Sequence, residues 1–178
     1  MPIYRGGAFV DDTWRVLGDD EVADRGAHVI VSLERWRSEP QLRTGNVGVI
    51  LRAGEEPDVI ADGLVDAPLI VITFAKFTDG RGYSVARALR ERHAFKGEIR
   101  ATGDVLLDQI PLMLRCGFDA FEITHGPTIA ALGRGYLPGL ALSYQRPVGG
   151  SRRYSTVVRP SQASRQVAQE QNDGAGQA

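Results

Sequence analysis

The polar side chains able to do chemistry are concentrated in two short stretches. The first is Lys76-Phe77-Thr78-Asp79-Gly80-Arg81-Gly82-Tyr83-Ser84. The second runs from Arg100 through Asp104, Asp108 and Gln109, with Glu122 a little beyond. In the first stretch the glycines let backbone N–H groups approach a ligand, and Arg81 and Lys76 add positive charge where a helix begins. Phosphate, sulfate or carboxylate is the ligand class that such a loop attracts. Ligand contacts are expected from Lys76, Gly80, Arg81, Gly82, Tyr83, Ser84, Arg100, Asp108 and Gln109. Asp79, Asp104 and Glu122 are the candidate catalytic residues, because neighbouring carboxylates can exchange protons as general acid and base. Asp104 with Glu122 could instead hold magnesium through oxygen ligands. The plainer reading of the same residues is turn, cap and ion-pair chemistry, with Asp79 or Ser84 capping a helix and Arg81 bound to a nearby acid. The spacing matches neither a P-loop nor a dinucleotide fingerprint.

Other reactive residue types give less. His28, His93 and His125 are scattered, with no pair at helical spacing, so no zinc site is expected and no metal site is assigned. Cys116 lies between Arg115 and Gly117. A positive neighbour would activate its thiol, but a small buried residue at a helix end is the reading adopted. A single cysteine excludes an internal disulfide framework and an iron–sulfur cluster held by this chain's thiolates alone. No cofactor is indicated. Phe74, Phe77, Phe118 and Phe121 read as core.

The elements that must position these groups follow from hydrophobic patterning. Leu69-Ile70-Val71-Ile72-Thr73-Phe74 is an almost unbroken, largely β-branched run, the pattern of a strand covered on both faces. The Lys76–Ser84 loop follows it, then helical spacing from Val85 to His93, so the loop sits at a strand's carboxyl end, where α/β proteins place their sites. Further strands are expected at Val29–Leu33, Val47–Leu51, Glu98–Thr102 and Phe118–Glu122. Between them, Glu34–Arg43 reads as a short helical connection broken near Pro40, and Glu55-Glu56-Pro57 as the start of a helix reaching about Leu64. Pro111 fits a helix if Asp108 is its N-cap, since proline is tolerated in the first turn. Thr128–Leu132 is a candidate short helix, and Leu140–Tyr144 and Tyr154–Val158 are candidate edge segments.

Strands alternating with helices predict an α/β fold of about five mainly parallel strands with right-handed βαβ crossovers. That is too few to close an eight-stranded barrel, so an open sheet or half-barrel is expected. Residues 1–27 read as an irregular lead-in that packs Trp14 on the domain, with Phe9-Val10 and Trp14–Leu17 as candidate short strands or arms, 28–160 as a single α/β domain, and 161–178 as a disordered tail. With 21 basic and 22 acidic side chains the charge is balanced, and neither nucleic acid nor a membrane is expected as partner. No apolar run approaches the roughly 20 residues that span a bilayer. Cytoplasmic location is the default expectation.

The wording of the central region adds a resemblance. Phe74 to Ser84, Ala86-Arg87, Leu89-Arg90-Glu91-Arg92, Gly97-Glu98-Ile99-Arg100-Ala101, Gly103-Asp104-Val105-Leu106, Asp108-Gln109 and Arg115-Cys116-Gly117-Phe118-Asp119-Ala120-Phe121 resemble one bacterial family without an established mechanism. That family is commonly labelled an oxidoreductase of sulfite reduction, and its genes often lie beside that of the sulfite reductase hemoprotein. The likeness is dense over residues 74–122, and departs from the family at Ala75, where proline is usual, and at Pro111. The resemblance implies cytoplasmic sulfate assimilation toward cysteine. The expected partners are then the sulfite reductase hemoprotein or its electron donor, a small anion, or a second copy meeting the first edge to edge as a homodimer. Two functions are carried forward: an accessory component of assimilatory sulfite reduction with an anion-binding loop, and a small α/β enzyme acting on an anionic metabolite by acid/base chemistry.

Overall fold

The computed structural model describes residues 2–138, except 23–25, 44, 56–57 and 60–61. The buried-type runs form β4 (Val29–Ser32), β5 (Val47–Leu51), β6 (Leu69–Phe74) and β7 (Glu98–Gly103), which pair in parallel in sequence order, and β8 (Ala120–Glu122) continues the parallel series. Between them lie α1 (Leu33–Ser38), α2 (Arg81–Glu91) and α3 (Ile110–Cys116), with α4 (Gly126–Gly133) after the last strand. The expected α/β class, the largely parallel sheet and the half-barrel are all present.

The lead-in differs from expectation. It is more regular: the possible short strands near Phe9-Val10 and Trp14–Leu17 are present as β2 (Ala8–Val10) and β3 (Arg15–Val16), and β1 (Ile3–Arg5) is added, giving eight strands in the order β2-β1-β8-β7-β6-β5-β4-β3. β1 pairs antiparallel with β2 and β8 at one edge, and β3 pairs parallel with β4 at the other. This order forces curvature. The chain from Val10 to Arg15 is only five residue steps and spans at most about 18 Å, whereas the edges of a flat eight-stranded sheet lie roughly 33 Å apart. The sheet therefore curls, and residues 11–14 bridge its two edges.

Alternate strand residues divide between two cores. Val29, Val31, Val49, Ile70, Ile72, Ile99 and Phe121 join Leu33, Trp36, Leu89, Ile110 and Met113 in the larger, helix-covered core. The opposite parity gives Ile30, Leu69 and Val71, packed by Trp14 and Ile50 in a smaller cluster on the concave side. The bridge thus carries the Trp14 packing that the sequence suggested. Arg90 ties the amino ends together: it donates to the carbonyls of Gly117, Phe95 and Gly97 and pairs with Asp119.

Three expectations move. Of the helix expected from Glu55 to about Leu64, residues 56–57 and 60–61 lie outside the described residues; the described part has an Asp62 N–H to Asp58 carbonyl bond of 2.8 Å and ends in a 3-10 turn, Leu64–Asp66. The cap of α3 is Gln109 rather than Asp108, with Pro111 in the first turn. Phe77 is not core but 52% exposed. The expected edge segments 140–144 and 154–158 and the tail 161–178 lie outside the described residues. Among the described residues no helix is long and apolar enough to cross a membrane.

Candidate functional site

The carboxyl ends of β6 and β7 carry the two polar loops side by side, and Gly103 makes their junction possible. It pairs with Phe74 across the strands at φ +91°, and a Cβ there would lie 2.3 Å from the Phe74 carbonyl oxygen. The chain turns at once, and the Asp104 N–H donates to that same oxygen at 2.9 Å.

Side chains of the second loop then grip the main chain of the first. Asp104 Oδ2 accepts the Phe77 N–H at 2.9 Å, and Gln109 Nε2 donates to the Phe77 carbonyl at 2.7 Å. Gln109 Oε1 also accepts the Leu106 N–H at 3.0 Å, which fixes the amide itself. Phe77 is held by both backbone groups while its ring stays exposed. Leu112, 47% exposed, stands three residues beyond Gln109, a spacing that puts it on the same side of α3. Lys76 and Asp108 are exposed beside them.

At the start of α2, Asp79 acts as an internal anion. Its carboxylate receives Arg81 Nε at 3.0 Å, Nη2 at 2.7 Å and the Arg81 N–H at 3.2 Å. These bonds hold the Asp79 pKa down at about 2, the side-chain bond from Arg81 contributing most. Gly82 serves packing, since a Cβ would lie 2.6 Å from the Phe74 ring, whereas Gly80 has open space around it. Tyr83 is half-buried and meets Phe74 edge to face at 5.4 Å, and burial pushes its pKa up. Ser84 is exposed on α2.

Arg100 and Glu122 occupy the concave face instead. Arg100 is 2% exposed, in register between Val71 and Ala120 and away from the loops. Its guanidinium reaches Asp12 Oδ2 of the bridge at 2.9 Å and Glu98 Oε1 at 3.0 Å, and Glu98 Oε2 in turn takes Arg5 at 2.8 Å. Glu122, ending β8, accepts the Thr102 hydroxyl at 2.6 Å. On the neighbouring strand Thr73, paired with Thr102, keeps a buried hydroxyl with no hydrogen-bond partner among the described residues. The structure thus gathers Asp79 with Arg81, and Asp104 with Gln109, at the rim, while Arg100 is bound elsewhere.

A small cleft opens between the β5 and β6 loops. Its floor is Ile72, Phe74 and Val85, and Arg52, Gly54, Glu55, Asp79 and Arg81 stand around it. Its enclosed room is ≈ 20 Å³, close to what one water needs. A larger hollow of ≈ 560 Å³ lies over α1, but it is broad and open, and its cation Arg37 is already bidentate to Asp62 at 2.8 and 2.7 Å. Among the described residues no three His, Cys, Asp or Glu side chains group so as to hold a metal ion. Cys116 is half-buried, and desolvation raises its pKa, so its thiol is not activated.

Sequence reasoning missed Asp12, Thr102, Arg52 and Gly54. Only Gly54 carried a usable signal, the turn in Arg52-Ala53-Gly54 directly after a buried-type strand. Comparison with curated proteins and with solved structures gives no match. The model of a bacterial protein family of unknown function, DUF934, matches residues 48–154, more than half of the chain and all of both rim loops, and the chain belongs to that family.

Proposed function

We propose that the chain is an accessory protein of assimilatory sulfite reduction, docking on the reductase hemoprotein or on its electron donor through the rim that carries Phe77 and Leu112. The observation that carries the docking reading is the grip of Asp104 and Gln109 on both backbone groups of Phe77, whose ring stays in solvent. An aromatic side chain held in advance loses little freedom on binding, which is how a small patch becomes a hot spot. The assignment to sulfite reduction rests on the likeness of residues 74–122 described above.

The competing reading, acid/base catalysis by Asp79, Asp104 and Glu122, has less behind it. A carboxylate held at about 2 is a weak base at neutral pH. Asp104 is occupied with the Phe77 N–H, and Arg100 is buried between Asp12 and Glu98. Binding of the immobilised chain to purified hemoprotein and to its electron donor tests the proposal. Phe77→Ala should weaken capture by about 30-fold, the effect of a 2 kcal/mol hot spot. Capture of neither protein by the unaltered chain, or capture unchanged by Phe77→Ala, refutes it.

A further inference from the structure

We draw no further inference here: the strongest candidate, the side-chain cluster of Thr73, Thr102 and Glu122 at the carboxyl ends of β6, β7 and β8 on the concave face, carries nothing, because the Thr73 hydroxyl, which has no hydrogen-bond partner among the described residues, is itself closed off from solvent and nothing in the structure shows what would reach it.

Discussion

Arg100 and Arg81 are the same residue type set in opposite surroundings, one 2% exposed inside the curl and the other 67% exposed at the rim. Each is held by carboxylates at ordinary hydrogen-bond distance. What differs is the cost of losing the partner. Around Arg100 the guanidinium is out of water and its partners Asp12 and Glu98 are only about a fifth exposed, so an orphaned member is poorly resolvated. Around Arg81 water replaces whatever is removed. Similar bonds therefore belong to the stability of the fold in one place and to the availability of a surface in the other.

The comparison breaks most readily at Arg100. Arg100→Met should destabilise the chain by about 2–3 kcal/mol, below the full cost of a buried orphan charge because Glu98 keeps Arg5 and Asp12 is partly exposed, whereas Arg81→Met should cost less than about 1 kcal/mol. Urea unfolding of both variants measures the contrast, and equal effects would end it. Next in size is Gly103→Ala. The left-handed backbone and the Phe74 carbonyl oxygen 2.3 Å from the added Cβ predict a loss of about 2–4 kcal/mol in the same assay.

Smaller effects sharpen the rim side of the contrast. Gln109→Ala removes the partners of the Phe77 carbonyl and the Leu106 N–H and should cost about 1 kcal/mol, with faster amide exchange at Phe77 and Leu106. Phe77→Ala, by contrast, should change stability by less than about 0.5 kcal/mol, as expected for an exposed side chain. Asp79 gives the pH arm. Its folded pKa of about 2 lies below the usual 3.8, so its contribution is fully present above about pH 4 and disappears as pH falls through 2. A carboxyl NMR titration should place its midpoint near 2, and Arg81→Gln should bring it back toward 3.8. A midpoint near 3.8 in the unaltered chain would remove the ion pair from the account.

Much of the architecture was legible because burial on both faces leaves a direct trace. Leu69 to Phe74 has to be a central strand, since no other element hides so many consecutive β-branched residues. β1 was not legible, and β2 and β3 showed only as possible short strands or arms at Phe9-Val10 and Trp14–Leu17, since all three are two or three residues long. Their existence depends on pairing with strands far along the chain, such as Tyr4 opposite Phe121. At the site, the glycine-rich turn before α2 and the pairing of Arg81 with a nearby acid could be read locally. The clasp on Phe77 could not, because Asp104 and Gln109 are 27 and 32 residues away and meet a backbone group with no side-chain signature. For the same reason Phe77 looked like core: an aromatic residue is apolar wherever it stands, and only packing decides whether it is covered.

The amino-acid order alone settled which strands exist at the centre of the sheet and which of their residues share a face. These are consequences of a two-residue period and of local sterics. The curl of the sheet was decided in three dimensions, by a bridge of four residues that must reach from one edge to the other. So was the fate of each charge. Arg100 is buried because Asp12, 88 residues earlier, is carried across the concave face to meet it, and the desolvation that separates it from Arg81 depends on that encounter.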